Sequence, residues 1–482
     1  MDIIITQPEL KAIVSGFNKV INRTLHLPIL HHVHIQPGPE GLVQLTATNM
    51  EETLTYNLTG AYGQFDSFLF PFSELKVAAK DMKRNDTLIL GSPKDGFIPI
   101  TAVVNDNSLF KNVPTAPVSE WPVCRKQIPT TMRKLGEFLA AYQKALPFVS
   151  TDPVRYVLNC VFFHHAEQVV VGTDGRRLAR FSISSPPFEQ DVIIPATKVL
   201  KNGMLNVELG GIGVLTEDDT QTIEINTPVW SYQARCPEGI YPNYMQVIPE
   251  DTGFTGTLSI APDDLGLVKA AVAQLCSDEA EGLFVYVDVD AVALLSTCVG
   301  EDGQRGRVIL SSSSAEMECP VANVVNGQFL LDALKAGFDT FRLSEEPRPW
   351  LCTGSAEGLH VLMPMRTDVA AGDLAPLIHG TKPEGENTVS AQQTIEAAGT
   401  DEQQQANAGS ASQHNPNLTL DDPVQELMDA VIGAQEAVKQ ANSALHGIKG
   451  KLKAVEKHYR ARDKQFAKSE KVLAQLQQVV NF

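Results

Sequence analysis

What this chain lacks narrows its function first. No apolar run approaches the length needed to cross a bilayer, and residues 1–6 read as a strand rather than a secretion signal. Cys124, Cys160, Cys236, Cys276, Cys298, Cys319 and Cys352 are odd in number and contain no C-x-x-C pair. They read as small buried apolar residues in a reducing compartment, which excludes a disulfide framework and a zinc site as expectations. Also missing are the Gly-x-x-x-x-Gly-Lys phosphate loop, the His-Glu-x-x-His zinc helix and the Gly-x-Ser-x-Gly nucleophile elbow. The pairs His31-His32 and His164-His165 fall on predicted strands, where neighbours point to opposite faces, so they read as structural. Asp288-Val289-Asp290 lacks the glycine and the further ligands of a calcium loop and reads as a strand end and turn. The expectation is a non-catalytic cytoplasmic protein with no cofactor, no metal and no membrane contact.

Positive charge is also scarce. The formal net charge is −18. It divides into about −14 over residues 1–367, about −8 over 368–423 and about +4 over the remainder. That total argues against a simple basic groove for nucleic acid, because such binding rests on Lys and Arg neutralising phosphates. A small basic surface inside an acidic body stays compatible with that total, since net charge averages over faces that meet different partners.

What is present is repetition. With 482 residues the chain is too long for one core, and a similar pattern recurs every ~125–130 residues. Each copy opens with a short strand and an amphipathic helix, whose apolar residues stand at helical spacing. These are Leu10, Ile13, Val14 and Phe17; then Leu135, Phe138, Leu139 and Tyr142; then Leu265, Val268, Val272 and Leu275. An apolar strand ending in threonine follows, at 45–48, 169–173 and 294–297. A second helix is predicted at 71–83, 195–205 and 326–336. Short alternating runs predict strands at 30–35, 87–90, 168–171, 222–225, 284–289 and 359–363, separated by Gly, Pro, Asn and Asp clusters. The fold class is α+β with sheets dominant: module one at 1–127, module two at 128–253 and module three at 254–367.

Beyond Thr367 the composition changes. Residues 368–421 are rich in Gly, Ala, Gln, Asn, Thr and Glu with no sustained period, and read as a flexible linker whose reach is on the order of 35–40 Å. Residues 422–482 read as a coiled-coil helix. Asp422 suits an N-cap, Pro423 the first turn, and a 3-4 apolar seam runs from Val424 through Leu445 and Leu452 to Val480. A helix of about 57 residues would measure roughly 85 Å. The cluster from Lys449 to Lys468 suits a solvated face or a secondary DNA contact.

Several stretches together resemble one family. They are Leu27-Pro28-Ile29-Leu30; Arg155-Tyr156-Val157-Leu158-Asn159; Gly172-Thr173-Asp174-Gly175-Arg176-Arg177-Leu178-Ala179; Tyr241-Pro242-Asn243-Tyr244 with Val247-Ile248-Pro249; and Val361-Leu362-Met363-Pro364-Met365-Arg366. In order and spacing over residues 1–367 they resemble the beta sliding clamp, the beta subunit of bacterial DNA polymerase III. The resemblance implies a head-to-tail homodimeric ring with sheets outside and helices lining a central hole. It implies duplex DNA held through that hole without sequence preference, and partners that include DNA polymerase, a clamp-loader ATPase and repair proteins carrying clamp-binding peptides. The function implied is tethering of polymerase to DNA for processive, nucleoid-associated replication. The alternative is a clamp-derived scaffold that acts mainly through its coiled coil.

Carried over residue by residue, the resemblance implies a partner-binding cleft made by Leu158, Thr173, Gly175, Arg176, Leu178, Pro242, Val247, Met363, Pro364, Met365 and Arg366. Methionine and leucine make a pliable apolar pocket that several peptides can fill. DNA contacts are expected from Arg23, near the family's DNA-contacting loop, and from the second helices. There Lys76, Lys80, Lys83 and Arg84 stand at i, i+4, i+7 and i+8, with Lys198 and Lys201 in module two and Lys335 in module three. The dimer seam is expected where the edge strand bearing Leu109, Phe110 and Val113 meets the helix end bearing Val272 and Leu275. Departures from the family are Asp152-Pro153 before the Arg-Tyr pair, the Pro-rich loop 344–349 beside the cleft, and the extension past Arg366. The terminal Gln478–Phe482 faintly resembles the glutamine-started, phenylalanine-ended pentapeptides that dock in such clefts.

Overall fold

The computed structural model describes residues 2–379, apart from 23–24, 61–64, 105–106, 124–125, 278–280, 301–303, 347 and 356. The expectations for Arg23, for the linker beyond His379, for the coiled coil 422–482 and for the terminal pentapeptide lie outside the described residues. Seven helices appear in the described chain: α1 Gln7–Val20, α2 Phe72–Asp81, α3 Leu135–Ala145, α4 Lys198–Lys201, α5 Leu265–Leu275, α6 Gly327–Lys335 and α7 Ala371–His379. Around the first six, a strand-helix-strands-helix-strands order repeats three times.

Local chemistry starts the first helix. The Glu9 carboxylate accepts from the Thr6 backbone N–H at 2.9 Å and from its hydroxyl at 2.6 Å, and Pro8 stands in the first turn. Leu10, Ile13, Phe17 and Val20 are then wholly buried, each contributing roughly 1.5–3 kcal/mol of transfer free energy. α3 buries Leu135, Phe138, Leu139 and Tyr142 in the same way. α5 departs from the pattern: Val268 and Ala271 are buried, but Leu265 is 37% exposed and Val272 and Leu275 are only half-buried.

The second helices are shorter than their sequence suggests. α2 ends at Asp81, so Lys83 and Arg84 lie in the following turn, where the Lys83 N–H donates to Asp86 Oδ2 at 2.6 Å. α4 is a single turn started by Thr197, and Gly203 with φ 68° closes the turn after it. A further difference lies at 28–31, where a 3-10 turn, Pro28–His31, replaces the start of the expected strand.

Among the described residues, four antiparallel sheets carry the modules. A four-stranded sheet orders Ile3–Thr6, Thr87–Leu90, Phe97–Val104 and Asn107–Pro114. An eight-stranded sheet joins modules one and two by pairing Glu52–Leu58 with Trp230–Arg235. A nine-stranded sheet joins modules two and three by pairing Arg177–Ser182 with Gly358–Leu362. A second four-stranded sheet orders Arg307–Ile309, Val292–Ser296, Gly282–Val287 and Val321–Asn326. Hydrogen-bonded ladders thus run across both expected module boundaries, alongside the irregular segments that connect the chain there.

The start of the expected flexible linker needs correction. Composition assigns residues 368–379 to that linker, yet α7 occupies 371–379. Leu374 is 2% exposed against Phe284, Tyr286, Ala293, Leu295 and Val324. The helix holds because it covers an apolar sheet face, which outweighs its own poor propensity at Gly372 and Pro376.

Candidate functional site

Of the expected cleft residues, Pro242 and Val247 neighbour Tyr241, Tyr244 and Ile248 in sequence, while Leu158, Thr173, Gly175, Arg176, Leu178 and Met363 stand together at the junction of modules two and three. Its floor is an apolar cluster that includes Leu178, Val361, Phe162, Tyr241 and Tyr244, with Leu158 and Ile248 packed against it. Leu178 and Val361 face each other across the ladder that joins the two modules. Above them the Thr173–Arg177 turn is fixed by its own side chains. The Thr173 hydroxyl donates to Arg177 O at 2.6 Å and accepts from the Gly175 N–H at 3.1 Å. Asp174 Oδ1 accepts from the Arg176 and Arg177 N–H groups at 2.9 and 3.0 Å. Gly175 has φ 84°, a conformation that side-chain-bearing residues rarely adopt, and the Arg155 guanidinium closes over it.

The same turn stands at the first junction. Thr48 donates to Glu52 O at 2.9 Å and accepts from Met50 N at 3.0 Å, while Asn49 Oδ1 accepts from Glu51 and Glu52. Met50 takes φ 80° where module two has glycine. The two junctions differ in the charge they bury. At the first, the Tyr232 hydroxyl donates to Glu52 Oε2 at 2.7 Å, and burial raises the Glu52 carboxyl above its ordinary value. At the second, Arg177 is 8% exposed and pairs with Asp174 at 3.0 Å and with Asp332 of α6 at 2.8 Å. It also donates to Pro147 O at 2.7 Å, and its guanidinium lies 4.1 Å from the Phe329 ring centroid.

The rim is open and apolar. Met363 and Met365 are 49% and 45% exposed and Val247 is 52% exposed, while Pro242 and Arg176 also face solvent. Pro364 is half-buried and Arg366 exposed. Met363 N donates to Arg176 O at 3.1 Å and Met365 N to Val324 O at 2.7 Å, so the rim strand is stitched to both modules. Thr173 and Leu178 are themselves buried and therefore support the cleft from below. Beside it a cavity of about 740 Å³ is lined by Asp152, Arg155, Arg176, Lys201 and Phe329 among others.

The basic residues expected at DNA are surface groups. Lys76, Lys80, Lys83, Arg84, Lys198, Lys201 and Lys335 are all exposed. Lys76 Nζ lies 5.1 Å from the Phe72 ring centroid, and Lys335 Nζ lies 4.0 Å from Asp332. At the outer edge of the first sheet, Leu109 and Phe110 are 66% and 67% exposed. Val113 differs from expectation, because it is fully buried and pairs inward with Ile98. The opposite end of the described chain also presents an edge strand, Arg307–Ile309, which the sequence pattern does not reveal. Leu275 packs beside it, since a Cβ on Gly306 would come within 2.6 Å of Leu275 Cδ2.

Sequence reasoning also missed Arg177 and His360. Strand alternation could have found the first: if Arg176 faces out at the start of a strand, Arg177 faces in. His360 is wholly buried, its Nδ1 2.7 Å from Leu178 O, and its Nε2 has no hydrogen-bond partner. In the second histidine pair, His164 Nδ1 lies 2.8 Å from the Tyr244 hydroxyl and His165 Nδ1 3.1 Å from Phe188 O. Among the described residues no group of three His, Cys, Asp or Glu could hold a metal ion, and no helix is long and apolar enough to cross a membrane.

No protein-family model matches the chain. The Beta sliding clamp of Chlamydia pneumoniae is 22% identical over 382 residues, covering 76% of this chain and 99% of that protein. The Beta sliding clamp of Caulobacter vibrioides strain NA1000 is 24% identical over 272 residues, 53% of this chain and 71% of that protein. Among solved structures, the DNA polymerase sliding clamp of Pseudomonas aeruginosa superposes with a TM-score of 0.65 at 19% identity, covering 76% of this chain and all of that one. The DNA polymerase III beta subunit of Thermotoga maritima gives 0.62 at 19% identity, covering 76% of this chain and 99% of that one. The structural likeness establishes the sliding-clamp fold. The sequence relatives that match over three quarters of the chain are likewise beta sliding clamps, at 22% identity.

Proposed function

We propose that two copies of this chain close head to tail into a ring that encircles duplex DNA and tethers DNA polymerase and peptide-bearing repair proteins to it. The observation that carries this reading is the pair of outer sheet edges, Asn107–Pro114 and Arg307–Ile309, one in each of the two four-stranded sheets. An exposed edge strand carrying Leu109 and Phe110 invites a partner strand, and a second copy supplies one. Closure makes retention topological, so phosphate contacts from Lys76, Lys80, Lys83, Arg84, Lys198, Lys201 and the undescribed Arg23 need only be weak and sequence-blind. An acidic exterior keeps DNA away from the remaining surface. The apolar rim of Met363, Met365 and Val247 serves as the docking place for partner peptides. In this reading the protein works by holding rather than by catalysis, and it depends on a loader ATPase to open it.

The test is loading onto nicked circular DNA by a clamp loader, followed by processive synthesis on a primed template. Full chain and residues 1–387, the compact unit that retains α7, are compared. Retention on circular DNA, release on linearisation and longer products from both forms support the clamp. Self-association that requires residues 388–482, with no gain in product length, would replace it with the scaffold reading.

A further inference from the structure

The rim of the cleft and α7 share one strand. Val324 lies in Val321–Asn326, its carbonyl accepts from Met365 N at 2.7 Å, and its side chain is buried beneath α7. The Met365 thioether lies over the same place, since a Cβ on Gly282 would sit 3.5 Å from Met365 Sδ and 2.9 Å from Val324 Cγ1. Only a short stretch separates Arg366 from α7, and it is pinned twice. Val369 N donates to Thr367 Oγ1 at 3.1 Å, and Ala370 N donates to Asp373 Oδ2 at 3.0 Å. The far end of the helix is held as well: His379 Nε2 lies 2.7 Å from Asp288 Oδ2, which also accepts from the Tyr286 hydroxyl at 2.7 Å.

We infer that α7 is a strap that positions the methionine rim of the partner cleft, so that helix docking and the binding of an apolar peptide reinforce each other. This rests on the reading of the Met363–Arg366 rim as a peptide site. The physical route is short. With α7 in place, Val324 is packed on its outer side and Met365 is held against its carbonyl. With α7 released, Phe284, Tyr286 and Leu295 lose their cover, and the chain after Met365 is free to swing. A peptide must then order the rim itself, and the ordering entropy is subtracted from its affinity. By linkage, a bound peptide stabilises the docked helix to the same degree.

The test uses the full-length chain, its Leu374→Asp and Leu374→Ala variants, and a fluorescein-labelled pentapeptide, Gln-Leu-Ala-Leu-Phe, as the apolar probe. Anisotropy gives the affinity, and hydrogen exchange follows the Met365 amide and α7. Expected results are a peptide Kd raised on the order of fivefold or more by Leu374→Asp, less by Leu374→Ala, with faster exchange at Met365 in the same order. Added peptide should slow exchange of α7 in the unmodified protein. If exchange shows α7 released while Kd and the Met365 amide stay unchanged, the strap is refuted. If the unmodified chain fails to bind the peptide, the peptide-site reading falls, and the Met365 exchange still decides whether α7 positions the rim. His379→Ala, which leaves the Leu374 contacts in place, provides a milder variant should Leu374→Asp not fold.

Discussion

Replacing His360 with glutamine would remove a fully buried imidazole at the junction of modules two and three while keeping a hydrogen-bond donor in its place. The ring packs against Phe148, at 4.9 Å between centroids, and Phe338, at 5.4 Å, and those two rings also meet each other. Its Nδ1 donates to Leu178 O, and Nε2 faces no partner. Burial is the main cause that drives its pKa from 6.5 down to about 3; the Leu178 hydrogen bond opposes the shift and the Arg177 charge adds to it. Between those values the unfolded chain carries a proton on this residue and the folded chain does not. Stability therefore falls as the pH drops from 6.5 toward 3, with a slope near ~1.4 kcal/mol per pH unit for one proton. Over the interval from pH 6.5 to pH 4 the accumulated loss is about 3 kcal/mol. Urea unfolding of both proteins across that interval isolates the histidine, because the carboxylates are common to both. His360→Gln should be within about 1 kcal/mol of the parent at pH 7 and progressively the more stable of the two below pH 6. Parallel stability curves for the two proteins would show that the imidazole takes up its proton in the fold as readily as in water, and would refute the reasoning.

Three further outcomes follow from the geometry. Arg177→Met leaves Asp174 and Asp332 without their shared cation, and should cost about 3 kcal/mol in denaturant unfolding; adding Asp332→Asn should restore part of it, and a neutral single variant would argue against the clamp between modules. Phe110→Asp changes a side chain that is 67% exposed, so the unfolding free energy should move by less than about 0.5 kcal/mol, while sedimentation should show weakened self-association. An unchanged dimer would remove the edge strand from the seam. Lys76→Gln combined with Lys80→Gln should lower the slope of log K against log salt by up to ~0.9 for each phosphate left without its lysine, equally for unrelated DNA sequences. A weakening confined to one sequence would contradict backbone recognition.

Helical spacing was enough to locate the apolar stripes of α1 and α3, because their packing face is written within three or four turns of chain. The Thr173–Arg177 segment entered only through the family resemblance, although threonine, aspartate and glycine each have a local reason to form a turn there. α5 was less readable: Val272 and Leu275 fit the spacing but are half-covered, and coverage depends on what lies opposite. Val113 failed for the same reason, because alternation along an edge strand fixes two faces without saying which one meets the core.

By itself, then, the sequence determined the repeating order of elements and the apolar residues that α1 and α3 bury, both of which depend on neighbours within a few turns or on spacing, and it carried the family resemblance. Tertiary structure alone decided that Gly372 and Pro376 lie inside a helix, that Arg177 bridges Asp174 to Asp332, and that His360 is buried against two phenylalanines. In each case the deciding partner is distant along the chain: Phe284 beneath Leu374, α6 beside Arg177, Leu178 opposite the 358–362 strand. The burial energy of such packing overrides the local propensities on which a linear reading rests.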